Sequence, residues 1–128
     1  RAAQAVAPHM IATGWGRIIN IGGGAARRTG NYIASVRNVA VSALTKNLAD
    51  ELGPKGINVV AIHPGTTRAG QVIDAATEKR ATSSVSIGRI IEAREIAYLV
   101  AFLASPKSIA INGETIGAGG GTLGPINY

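Results

Sequence analysis

The stretch Ile57-Asn58-Val59-Val60-Ala61-Ile62, closed by His63-Pro64-Gly65, is apolar at every position but one before its closing turn. A strand with one wet face alternates polar and apolar residues, so a nearly unbroken run reads as a strand covered on both faces. Two-sided cover requires helices above and below a sheet, which is the α/β layer arrangement. Pro64 cannot donate to a ladder, and with Gly65 it marks the turn that ends the strand.

Upstream, Gly53-Pro54 terminates a helix expected over Ala34 to Leu52, in which Val36, Ala40, Leu44, Leu48 and Leu52 recur at four-residue steps. With Val41 and Ala49 alongside, the pattern reads as one buried stripe. Before it, Arg17-Ile18-Ile19-Asn20-Ile21 is a short β-branched strand stopped by Gly22-Gly23-Gly24. Arg1 to Thr13 reads as an alanine-rich helix, with Pro8 either kinking or dividing it and Gly14 to Gly16 ending it. Downstream, Thr66 to Arg89 is polar with weak periodicity, a mobile loop with one helical turn near Ile73 to Arg80. Ala93 to Ala104 is amphipathic, with Ile96, Leu99, Val100 and Leu103 inward and Ser105-Pro106 after it. A last strand, Glu114 to Ala118, runs into a glycine-rich tail. Strands alternating with helices imply right-handed parallel crossovers, here with three strands in a single domain over residues 1–128.

Composition narrows the function classes. Hydrophobic residues make up 46% and charged residues 16%, which excludes a disordered chain and suggests burial against a partner as well as internally. There is no cysteine, hence no disulfide, thiolate metal site or cysteine nucleophile. No apolar run reaches the ~18 residues of a membrane helix and no secretory signal is present, so a cytoplasmic location is the expectation. The net charge of +6 is spread along the chain, and Arg27-Arg28 and Lys79-Arg80 are the only adjacent basic pairs. Aromatics at 4% cannot interleave such charge into a nucleic-acid surface. Arg1 stands first in place of methionine, which leaves open a processed product or a piece of something longer.

Gly16-Arg17-Ile18-Ile19-Asn20-Ile21, Leu44-Thr45-Lys46-Asn47-Leu48-Ala49-Asp50-Glu51-Leu52, Gly56-Ile57-Asn58-Val59 and His63-Pro64-Gly65 carry a resemblance. Joined by Glu95-Ile96-Ala97, Phe102-Leu103-Ala104-Ser105 and Asn112-Gly113, this ordered set is similar to the second half of a short-chain dehydrogenase/reductase. The resemblance implies a partial Rossmann-like domain, the C-terminal half of a doubly wound parallel sheet. It also implies NAD or NADP as cofactor and hydride transfer between nicotinamide and a small alcohol or carbonyl. The first four strands, the phosphate loop and the adenosine pocket then lie outside these residues. Gly119-Gly120-Gly121-Thr122-Leu123-Gly124 satisfies G-x-G-x-x-G, but Pro125 follows in place of a helix, so these glycines serve a tight chain reversal or a close subunit contact.

In the family a tyrosine, a lysine four residues later and a serine after the preceding strand form the proton relay. Aligned on Ala43-Leu44-Thr45-Lys46, those positions fall on Ala34, Asn38 and Gly22 or Gly23, none of which can exchange the proton. Tyr32 is either a substitute acid/base, if the short loop shifts the helix start, with Arg37 or Arg28 supplying positive charge and Asn38 at the lysine's place, or a packing or loop tyrosine. Ser35 reads as a small residue of the first helical turn, and His63, with only His9 as a second histidine, as a hydrogen-bonded structural imidazole in a chain without a metal site. Pro64-Gly65-Thr66-Thr67 resembles the turn whose backbone meets the nicotinamide carboxamide, with Thr67 at the contacting position and Ala69 where a threonine is common. The expected function is that of an NAD(P)-dependent oxidoreductase, incomplete or inactive as this chain alone; the alternative is a non-catalytic assembly module. Partners are a second copy through the 34–52 helix or a missing N-terminal half.

Overall fold

The parallel sheet is built from β1 (Gly16–Ile21), β2 (Ile57–Pro64) and β5 (Thr115–Ala118), in the spatial order β1-β2-β5. The chain is described by a computed structural model over residues 1–124 and 126. Its helices are α1 (Ala2–Thr13), α2 (Tyr32–Leu52), α3 (Ala75–Ser83) and α4 (Ala93–Ala104). Two short strands, β3 (Thr67–Arg68) and β4 (Ile91–Glu92), pair in parallel apart from the main sheet.

The two-sided cover of β2 is as the apolar run requires. Ile57 and Val59 pack with Ala49 and Leu52 of α2, and Met10 of α1 and Ile18 of β1 lean on that cluster. Val60 and Ile62 face the other way, onto Leu103, Ile96, Leu99 and Val100 of α4 and Ile116 of β5. Ile57, Val59 and Ile62 are fully buried, and each contributes about 1.5–3 kcal/mol relative to an exposed side chain. Asn58, the polar exception, is buried with its amide donating to the carbonyls of Ile109 and Ile111 at 2.8 and 3.0 Å.

Several elements depart from the sequence expectation. α1 ends at Gly14 as expected, with a φ of 66° that a side chain would resist, but Pro8 lies inside one continuous helix and does not divide it. α2 begins at Tyr32, two residues early, because Asn31 accepts from the Ala34 backbone N–H and caps it there. The predicted buried stripe of α2 is corrected. Val36 is 70% and Leu44 53% exposed, Ala40 is exposed, and only Ala49 and Leu52 of the set are fully buried, together with Asn38 and Thr45. A helix of 3.6 residues per turn advances about 40° beyond a full circle with each four-residue step, so such a row winds off one face. Between Thr66 and Arg89 the expected single turn is instead a nine-residue helix, α3, capped by Asp74 accepting from Thr77. β5 starts at Thr115, one residue late. No helix among the described residues is long and apolar enough to cross a membrane.

Candidate functional site

A parallel sheet with crossover helices opens its crevice at the carboxyl ends of its strands. Here a cleft of about 1180 Å³ lies beyond the ends of β1, β2 and β5. It is bounded by the 3-10 turn Gly24–Arg27, the segment His63 to Thr66, the last turn of α3 and glycines 117, 119 and 121. The loop after α3 is tied across to the glycine tail: the Ser86 and Ile87 backbone N–H groups donate to the carbonyls of Gly121 and Gly120 at 2.7 and 3.1 Å. Gly120 and Gly121 adopt φ of 79° and 77°, which makes the chain reversal there a glycine's task. Gly119 abuts the Gly65 backbone so closely that a Cβ on Gly65 would lie 2.8 Å from the Gly119 Cα.

Pro64, Gly65 and Thr66 line this cleft. Thr67 stands just behind, its hydroxyl donating to the Gly65 carbonyl at 3.0 Å and holding the turn. The substitute relay residues are not brought there. Tyr32 is 89% exposed at the first position of α2, Arg37 is exposed on the same helix, and neither lines the cleft. Asn38 is 4% exposed, with its amide donating to the Ala34 carbonyl at 2.8 Å and its head against Gly22 and Gly23.

What occupies the neighbourhood of the family's serine position is His63. A Cβ on Gly22 would meet the imidazole Cδ2 and Nε2 at 2.6 Å, whereas one on Gly23 would have ordinary contact, 3.5 Å, with Asn38. The residue is 5% exposed, the ring Nε2 is 3.5 Å from Ser42 Oγ, and Nδ1 has no hydrogen-bond partner among the described residues. The expectation of a hydrogen-bonded structural imidazole therefore holds at Nε2 only and is corrected at Nδ1. Burial, and then the charge of Arg27, push the His63 pKa below its ordinary value, so the ring is neutral near pH 7. A buried unpartnered ring nitrogen costs about 1–3 kcal/mol.

Sequence reasoning missed the feature that dominates the cleft wall. Arg27, Arg28 and Arg80 all border it, and no acidic side chain does among the described residues. The signal was present, since these residues belong to the two adjacent basic pairs, but only the fold brings the pairs together. No group of three or more potential metal ligands occurs among the described residues.

This architecture matches known proteins closely. The family model described as enoyl-(acyl carrier protein) reductase matches residues 1–122. The short-chain reductase protein NovJ of Streptomyces niveus is 38% identical over 94% of this chain and 50% of its own length. A 3-oxoacyl-[acyl-carrier-protein] reductase of Vibrio harveyi is 37% identical over 94% of this chain and 51% of its own. Among solved structures, a gluconate 5-dehydrogenase of Burkholderia cenocepacia, in complex with NADP and tartrate, superposes with a TM-score of 0.84 at 32% identity. It is covered over 49% of its length by 92% of this chain. A 3-oxoacyl-[acyl-carrier protein] reductase of Brucella melitensis gives a TM-score of 0.89 at 25% identity, with 97% of this chain on 48% of that one. The chain belongs to the short-chain dehydrogenase/reductase family of oxidoreductases. It spans about half the length of the curated relatives it matches.

Proposed function

We propose that this chain forms the substrate-side half of an NAD(P)-dependent oxidoreductase acting on a small alcohol or carbonyl. The observation that carries the reading is the turn Pro64-Gly65-Thr66 set into a strand-end cleft of about 1180 Å³, in a chain of this family. The turn fits a nicotinamide. Gly65 presents bare backbone, packed behind by Gly119, and the Thr67 hydroxyl fixes its carbonyl. When bound, the nicotinamide supplies or accepts the hydride. The pyrophosphate needs a G-x-G-x-x-G turn that opens a helix, and no such stretch precedes a helix among the described residues, so this reading requires that the anchor come from outside them. The same dependence accounts for a chain that is incomplete on its own. NAD and NADP are told apart at the adenosine end, which these residues do not supply.

A non-catalytic assembly module is the second reading, favoured by Ala34, Asn38 and Gly22 at the relay positions and by the outward apolar face of α2. NADH and NADPH titrated against the protein, followed by nicotinamide fluorescence, separate the two. Saturable binding, weaker than micromolar because the pyrophosphate anchor lies outside these residues, is the expected result for the oxidoreductase, and no saturation by either nucleotide up to millimolar concentration leaves the assembly module.

A further inference from the structure

Arg68 and Arg89 each meet a carboxylate: Arg68 pairs with Glu78 at 2.8 Å and Glu92 at 3.7 Å, and Arg89 with Glu95 at 2.6 Å. Arg27, Arg28 and Arg80 have no such partner among the described residues, although they share one concave wall. All three are exposed on that wall, and a cleft lined by one sign of charge raises the local concentration of anions. Two of the three are also oriented. Arg28 donates from Nη2 to Thr122 Oγ1 at 3.2 Å, and its backbone carbonyl accepts from the Ser35 hydroxyl at 2.8 Å. Arg27 lies with Nη1 3.8 Å from where a Cβ on Gly117 would stand, at the end of β5, so its charge sits over the strand ends. Among the neutral polar lining, Thr66 and Thr122 keep a hydroxyl proton to donate to anionic oxygens, whereas Ser35 and Ser84 already donate theirs to the carbonyls of Arg28 and Ala81. Thr66 belongs at once to this wall and to the turn assigned above to the nicotinamide, which sets the charged anchor beside the place where a reacting carbon would lie.

We propose that the cleft recognises its substrate by an anionic group, a carboxylate or a phosphate, held by Arg27, Arg28 and Arg80. The substrate class is therefore an oxo or hydroxy compound that carries such a group. This assignment rests on the oxidoreductase reading for the word substrate, but the anion site itself does not. Guanidinium forks match the planar carboxylate and the phosphate equally well in pairs, so the two chemistries are distinguished by experiment.

The test is calorimetric titration of the protein with succinate, inorganic phosphate and neutral 1,4-butanediol, at fixed ionic strength. Arg27→Gln, Arg80→Gln and, as a control for bulk charge, Arg94→Gln on the outer side of α4 are titrated alongside. Saturable binding of succinate or phosphate, whichever is tighter naming the group, with no heat from the diol, is the expected result. Arg27→Gln and Arg80→Gln should each weaken it roughly tenfold or more, and Arg94→Gln less than twofold. Circular dichroism melts of each variant show that the loss is not unfolding. No saturable anion binding, or equal weakening by Arg94→Gln, overturns the proposal. NADH fluorescence on the same samples keeps the two readings apart. Nucleotide binding without anion binding sinks this site and leaves the oxidoreductase, while anion binding without nucleotide binding does the reverse. Should Arg27→Gln abolish nucleotide binding as well, the arginines serve the cofactor's phosphates and the substrate assignment falls.

Discussion

His63 and Gly22 form a matched pair, because the imidazole fills the space that a side chain at position 22 would need. Gly22→Ala would put a methyl group 2.6 Å from a ring that is packed on all sides, and overpacking of this kind costs about 1–3 kcal/mol. In the His63→Ala background the same change should cost less than about 1 kcal/mol, since the obstruction is gone. Urea unfolding of the four variants measures both numbers, and additive effects would show that the ring is not what excludes the methyl. Tyr32 makes the opposite case. A general acid or base contributes about 10²–10⁴-fold to a rate and must reach the reacting atom, whereas this phenol is on the outer surface of α2 and borders no part of the cleft. Tyr32→Phe should therefore leave any carbonyl reduction within about twofold of the parent, and a loss on the scale of general acid–base catalysis would restore Tyr32 as the proton donor.

The elements were legible in proportion to how much of their environment is local. β2 and α4 could be read from their patterns because each is apolar on the faces its immediate neighbours cover, and α4 lies at Ala93–Ala104 as its periodicity implies. α2 misled because its buried face is partly polar: Thr45 accepts from the Asn20 amide at 2.9 Å and Asn38 lies under the glycines after β1. Those partners sit on a different strand, and no local pattern announces them. α3 was underestimated because few apolar residues mark its inner side, and its start rests on the Asp74 cap. The beginning of α4 carries a testable charge device. Glu95 accepts from Arg89 at 2.6 and 2.8 Å and from the Glu92 backbone N–H at 2.8 Å, and these contacts hold its pKa at about 2, against 4.5 ordinarily. A carboxyl whose folded value is depressed stabilises the fold above its unfolded value and loses that contribution as pH falls through the folded one. Glu95→Gln should accordingly lower the melting temperature at pH 7, with the gap to the parent narrowing below pH 4.5 and closing near 2. A gap independent of pH would assign the effect to packing alone.

At the scale of the whole molecule, two surfaces are open among the described residues. β1 is an edge strand that pairs only with β2 among the described residues, and relatives of about twice this length match the chain over only half of themselves. α2 turns Ile33, Val36, Val39 and Leu44 outward, a row of large apolar side chains that water does not favour. An edge offers unpaired backbone groups and invites open-ended strand pairing, while a helix face packed against its own copy closes after two subunits. Sedimentation can tell them apart. We expect a dimer at low micromolar concentration that Val36→Asp combined with Leu44→Asp shifts to monomer. Both positions are exposed, so each change should alter stability by no more than about 0.5 kcal/mol and the variant should melt like the parent. A parent that sediments as a monomer removes the α2 interface, and one that forms a ladder of larger species unaffected by the two aspartates places the association on the β1 edge instead.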